Sequence, residues 1–97
     1  MTLPVVWLPE AEADLRAAKS WYDDLRLALG DRFISAVGAT VESISKSPRR
    51  FPTIYRDRRR ARVRHFPYGI IFEVQEQRIV VIACFHYKRN PKRWRAR

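Results

Sequence analysis

Residues 3–8 read Leu-Pro-Val-Val-Trp-Leu, a short apolar run rich in β-branched and aromatic side chains, with a proline near its start where a strand tolerates one. An opening strand is expected there. Pro9 follows at what would be the first helical position, with Glu10, Glu12 and Asp14 supplying the negative charge that a helix N-terminus favours. Ala11, Leu15, Ala18, Tyr22, Leu25 and Leu29 then recur at alternating steps of four and three, which marks one face of an α-helix, and Gly30 stands where a C-cap would. Asp31 is placed to cap a second helix striped by Phe33, Ile34, Val37, Val41 and Ile44, and Pro48 stops it. The two predict an αα-hairpin.

Residues 49–57 show no period and contain Pro52, so they read as a loop. After it the period changes to two. Ala61, Val63 and His65 alternate with Arg60, Arg62 and Arg64; Pro67-Tyr68-Gly69 offers a turn; and residues 70–75, Ile-Ile-Phe-Glu-Val-Gln, complete a predicted hairpin. Glu76-Gln77 is a second turn before residues 79–85, Ile-Val-Val-Ile-Ala-Cys-Phe, an apolar run continuous enough for an inner strand covered on both faces. The element order is therefore β-α-α-β-β-β, an α+β chain. Residues 86–97 form a basic tail with two aromatics and room for one helical turn after Pro91. The expected core joins both helix stripes to one sheet face through Leu15, Tyr22, Leu25, Phe33, Val37, Val41, Ile70, Phe72, Val81 and Ala83.

Ninety-seven residues with no linker composition make one domain, spanning 1–97. The apolar content of 46% is too high for a disordered chain. No apolar run approaches the roughly 20 residues that cross a bilayer, and the start Met-Thr-Leu-Pro lacks the features of a signal peptide, so no membrane partner and a cytoplasmic setting are expected. The single cysteine, Cys84, cannot close an internal disulfide and reads as a small core residue.

Charge alters the picture most. The net charge is +10, but residues 1–48 carry five basic and seven acidic side chains, whereas residues 49–97 carry fifteen basic and three acidic. Half of the chain is thus built to meet a polyanion, either nucleic acid or an acidic protein. Its densest part is Arg58-Arg59-Arg60-Ala61-Arg62-Val63-Arg64. In a strand, Arg58, Arg60, Arg62 and Arg64 line one face at ~6.6 Å spacing. An edge strand whose arginines merely resist aggregation is the plainer reading. His86-Tyr87, followed by Lys88 and Arg89, combines proton carriers with cations that stabilise developing negative charge, the parts of a metal-free ribonuclease. A hydrogen-bonded structural histidine is the alternative. Trp94, set among Lys92, Arg93 and Arg95, either stacks on a base or anchors the tail. No Gly-rich phosphate loop, paired metal-ligand spacing or serine elbow appears, so neither metal nor cofactor is expected.

Taken in order, Pro9 with Ala11, Asp14 and Leu15; Trp21-Tyr22; Gly30 with Phe33; Ile44 with Ser47-Pro48 and Phe51-Pro52; Arg64-His65-Phe66-Pro67-Tyr68 leading into Ile70-Ile71-Phe72; and His86 with Arg89, Pro91 and Trp94-Arg95 resemble the RelE/ParE superfamily of toxins from bacterial type II toxin-antitoxin modules, which includes plasmid stabilization proteins. The resemblance covers about 90 residues. It implies a helical hairpin packed on a small, mostly antiparallel sheet, and a toxin neutralised by a cognate acidic antitoxin. RelE-like members cut messenger RNA on the ribosome; ParE-like members poison DNA gyrase and are not nucleases. On the first alternative His86, Tyr87, Arg64 and Arg89, with Arg60 and Arg62, would be catalytic. On the second, which the Phe66-Pro67-Tyr68 motif and the His86 to Trp94 ending favour, Arg58, Arg60, Arg62, Arg64, Lys88, Arg89, Arg93 and Trp94 would bind the target. A basic nucleic-acid-binding domain without toxicity is the third reading.

Overall fold

The computed structural model describes residues 2–97, so the first residue of the expected domain lies outside the described residues. Strand β1 (Val5–Trp7) leads into helices α1 (Pro9–Leu25) and α2 (Leu29–Lys46). A single 3-10 turn at Pro48–Arg50 is followed by β2 (Thr53–Tyr55), β3 (Arg58–Arg62), β4 (Tyr68–Val74), β5 (Ile79–His86) and a short α3 (Lys92–Arg95). The strands form one sheet in the order β1-β5-β4-β3-β2, antiparallel throughout except that β1 runs parallel to β5. Among the described residues, no helix is long and apolar enough to cross a membrane.

The helical hairpin differs from the sequence expectation at its turn. α1 stops at Leu25, because Arg26 is extended and Ala28 takes a left-handed conformation at φ 65°. Gly30 is therefore not a C-cap but the second residue of α2, and Asp31 lies in the first turn of α2, two residues after its start, rather than capping it. Gly30 serves close approach. A Cβ there would stand 2.8 Å from the Lys19 carbonyl oxygen and would overlap the Asp23 carboxylate, so α1 and α2 meet only where the side chain is missing. Leu25, expected in the core, is 58% exposed at the last residue of α1.

Ala11, Ala18 and Tyr22 of α1 and Phe33, Val37 and Ile44 of α2 bury against Ala61, Val63, Ile70, Phe72, Ile79, Val81 and Cys84. Leu15 and Val41 are only partly buried, and Thr40 takes the inner position beside Val41, its hydroxyl donating to the Ala36 carbonyl at 2.9 Å. Tyr22, Phe33, Phe66 and Tyr68 close this core with edge-on and tilted ring contacts at 5.0–6.1 Å.

The segment read as a loop contains the edge strand β2, only three residues long, and the hairpin's turn falls at residues 63–67, with His65 at φ 71°, so Tyr68 and Gly69 belong to β4. β5 is covered on both faces, as its unbroken apolar run predicts. Its register against β4 steps from Ile71↔Ala83 to Phe72↔Val81, which leaves Ile82 as an unopposed bulge residue. Ile82 and Ala83 consequently share the outer face with Ile71, Val80 and Trp94; Ala83 is not part of the helix-side core.

Candidate target-binding surface

The outer face of the sheet collects the basic residues. On β3, Arg58, Arg60 and Arg62 alternate with the buried Ala61, as a strand dictates. Arg58 is nevertheless already engaged. Its guanidinium donates to the Trp94 carbonyl at 2.7 Å and to the Arg97 carbonyl, which ties the tail down across the sheet. Arg59, on the opposite parity, donates to the Phe51 carbonyl at 2.6 Å and holds the segment before β2.

Arg60 and Arg62 stay open. Their guanidiniums lie 5.3 and 5.4 Å from the centre of the Tyr87 ring, and neither has a carboxylate or a hydrogen-bond acceptor among the described residues. Gly69 makes this cluster possible. A Cβ there would stand 3.0 Å from Arg60 Cγ and 3.2 Å from Tyr87 Cε1, so the strand floor is lowered beneath the pair. The only sequence signal was a glycine beside a strand, which read as part of a turn. Arg64 lies beyond β3 and faces α2, in a cleft of about 470 Å³ that Arg62, His65 and Arg50 also line. Arg89 and Lys88 are exposed after β5, and Arg89 lines a cleft of about 280 Å³ with Arg60, Tyr87 and Trp94.

His86 and Tyr87 do not meet. His86 shares the helix side with Cys84, its ring edge-on to Tyr68 at 5.0 Å, while Tyr87 lies on the arginine side. The backbone N–H of Lys88 donates to His86 Nδ1 at 3.0 Å, which assigns the proton of the neutral ring to Nε2. Partial burial, helped by Arg89 and Lys88, holds the His86 pKa below the ordinary histidine value. The histidine is a backbone-bonded group turned away from Arg60 and Arg62.

Trp94 is an anchor. Only 3% exposed, it packs edge-on against Tyr55 at 5.9 Å and Phe85 at 6.0 Å, and offers no ring face to a target. Its indole N–H is buried with no acceptor among the described residues. Arg93 is exposed on the same short helix, and Arg95 lies 4.7 Å from the Tyr55 ring centre. Beyond it, Arg97 reaches Asp14 of α1 through two hydrogen bonds of 2.5 and 3.0 Å and the Ile82 carbonyl at 3.0 Å, a contact spanning 83 residues that local pattern could not reveal. Its hydrogen bonds to Asp14 raise the Arg97 pKa above the usual arginine value.

Of the residues expected to bind a target, the surface therefore brings Arg60 and Arg62 together with Tyr87, places Arg89 next to them and Arg64 around the edge, and withdraws Arg58 and Trp94 into structural roles. Among the described residues, no group of three or more His, Cys, Asp or Glu side chains is placed to hold a metal ion.

No curated protein matches the chain. A chain from the "Chromosomal ParDE TA system from P. aeruginosa" is similar in fold, with a TM-score of 0.75 and 16% identity, covering 88% of this chain and 96% of that one. The family model described as "ParE toxin of type II toxin-antitoxin system, parDE" matches residues 5–91. With nearly the whole chain inside that match, and with its helical hairpin and five-stranded sheet, this protein belongs to the ParE toxin family of type II toxin-antitoxin systems.

Proposed function

We propose that the chain is a growth-inhibiting toxin that acts in the cytoplasm by poisoning DNA gyrase, and that an acidic antitoxin neutralises it. Family membership supports the class of activity. The observation that favours gyrase over messenger RNA is the separation of His86 from Tyr87. Cleavage by a paired general base and general acid needs two proton carriers at one bond, and of this pair only Tyr87 stands among the cations, while His86 lies on the other face with its Nδ1 occupied. What remains beside Arg60, Arg62 and Arg89 is a binding surface.

Two features support the antitoxin. The basic half is complementary to an acidic, disordered segment that folds as it binds. The hairpin's end leaves Trp21, Leu25 and Leu27 at 57%, 58% and 93% exposure, apolar area that such a segment would cover. At antitoxin concentrations about 100 times Kd, the toxin gains about 2.7 kcal/mol. A rise in Tm of about 10 to 20 °C follows for a chain of this size.

The test is induction of the chain alone while plasmid supercoiling and messenger RNA integrity are followed. The double replacement His86→Phe/Tyr87→Phe keeps the ring beneath Arg60 and Arg62 and should leave toxicity and the loss of supercoiling intact. Reversing charge at Arg60, Arg62 and Arg89 should abolish both, since truncating one buried partner of an interfacial ion pair costs about 2 to 5 kcal/mol. Messenger RNA fragments with unchanged supercoiling, abolished by the double phenylalanine variant, would place the chain with the nucleases instead.

A further inference from the structure

Three clefts on this protein join end to end. The first, of about 280 Å³, is lined by Arg60, Tyr87 and Arg89; the second, of about 660 Å³, shares Arg60 and Tyr87 with it and adds Arg62, Phe51 and Pro52. The third, of about 470 Å³, shares Arg62 and Phe51 with the second and adds Arg50 and Arg64. They make one groove along β3, from the C-terminal tail to α2, and no Asp or Glu lines any part of it.

The groove alternates cation with ring. Arg60 and Arg62 stack on Tyr87, and Arg50 lies 4.7 Å from the centre of the Phe51 ring. None of the guanidiniums of Arg50, Arg60, Arg62, Arg64 and Arg89 has a carboxylate within 4.0 Å or a hydrogen-bond acceptor among the described residues. Five unpaired cations gathered along one groove repel one another, and an anion with repeating charge offsets that repulsion. The arginines of β3 recur every second residue, at ~6.6 Å.

We infer that this groove binds single-stranded nucleic acid, with phosphates on Arg60, Arg62 and Arg64 and bases against Tyr87 and Phe51. The pairing of a basic track with aromatic faces suits unstacked bases. An extended acidic peptide fits less well. β3 is paired with β4 along its whole length and with the β2 side only as far as Arg60, so a peptide strand could add only beside Ala61 and Arg62 and its recognition would rest mostly on side chains. A duplex also fits less well, since α3, the helix on this face, is four residues long with Trp94 packed onto the sheet and is too short to enter a major groove. The inference goes beyond the gyrase reading and does not need it.

The test uses the purified full chain, with neither gyrase nor antitoxin present, and a fluorescein-labelled ten-nucleotide oligothymidylate read by anisotropy between 50 and 200 mM salt. Saturable binding is expected, with log K falling against log salt at a slope of about −2, the value for three phosphate contacts on a single strand. Arg62→Gln/Arg64→Gln should flatten the slope to about −0.7. Tyr87→Ala should weaken binding by about 5- to 150-fold through lost stacking. Arg16→Gln, on the exposed face of α1, should change nothing.

Because Tyr87→Ala removes packing under two arginines, amide shifts of the unmodified protein serve as a second reading and should move at residues 60–64 and 87. The inference is overturned by absence of saturable binding at 50 mM salt, by equal loss on Arg16→Gln, by amide shifts elsewhere, by a duplex of the same sequence binding as tightly, or by a poly-glutamate peptide of equal charge displacing the strand equally well.

Discussion

Asp14 is the side chain whose removal should cost most for its size. β1 ends at Trp7, opposite Val81, so the edge of β5 beyond that point has no neighbouring strand. The bulge at Ile82 falls there. Its carbonyl accepts from Arg97, and the Cys84 N–H donates to Asp14 Oδ2 at 3.2 Å, so one ion pair serves two backbone groups that the sheet leaves free. Both side chains are largely buried, at 14% and 16% exposure. Asp14→Ala strands the Arg97 charge and the Cys84 N–H together. Breaking a buried pair costs about 3 to 5 kcal/mol; the residual exposure and screening here reduce that to about 2 to 3 kcal/mol. For a chain of 97 residues the melting temperature should fall by about 8 to 24 °C.

Urea unfolding of Asp14→Ala, Arg97→Ala and the double variant closes a thermodynamic cycle. A coupling of about 1 to 2 kcal/mol is expected, with the double variant more stable than the sum of the singles implies, because it removes the stranded charge. Glu12→Ala, which breaks only the exposed 4.0 Å pair with Arg16, should cost less than about 0.5 kcal/mol. Equal costs for Asp14→Ala and Glu12→Ala, or a coupling of zero, would refute the claim that the tail is latched through Asp14.

Four further outcomes follow from the same geometry. Gly38 has open space around it in mid-helix, so Gly38→Ala should stabilise by about 0.4 to 1 kcal/mol, whereas Gly30→Ala should destabilise because its Cβ meets Lys19 O at 2.8 Å; chemical denaturation that ranks the two the other way would contradict the helix-helix approach. Leu25→Ala should cost under about 1 kcal/mol at 58% exposure, against about 3 to 5 kcal/mol for the fully buried Phe33→Ala, checked by the same unfolding assay. Burial, reinforced by Asp14, pushes the Cys84 thiol up to about 12, so a thiol reagent at pH 7 to 9 should label it only when the protein unfolds. Since the His86 pKa lies below its unfolded value, its contribution to stability is complete above about pH 6.5 and is lost as pH falls toward the folded pKa; His86→Phe should flatten that acid limb, and an NMR midpoint at or above 6.5 would contradict the assignment.

Period located both helices, because each buries a face long enough to leave a repeat; an unbroken apolar run located the inner strand, and the turn after Pro91 rested on the proline. β2 left none: three residues after a proline cannot show alternation. The hairpin turn was misplaced because Gly30 suits two jobs, cap and close contact, and only the neighbouring helix tells them apart. The arginine face was legible from alternation, but which arginines are free was not. Arg58 is claimed by carbonyls 36 and 39 positions further along, and no local signal carries that information.

The division between His86 and Tyr87 has a single structural origin. Side chains along a strand change faces at every residue, and one inserted residue reverses the assignment for everything after it. Ile82 is that residue. With Ile79 and Val81 facing the helices, unbroken alternation would carry residues 83, 85 and 87 to the same side, turning Tyr87 toward α1 and α2 and His86 toward Arg60 and Arg62. The bulge instead returns Cys84 and His86 to the helix side and delivers Tyr87 to the arginines. It also frees the Ile82 carbonyl that Arg97 takes up, so the insertion that keeps histidine off the basic face helps to hold the tail across that face. A basic surface that keeps Tyr87 but loses His86 holds one proton carrier where paired acid-base cleavage needs two, and that is the physical ground for the proposal of binding over nucleolysis.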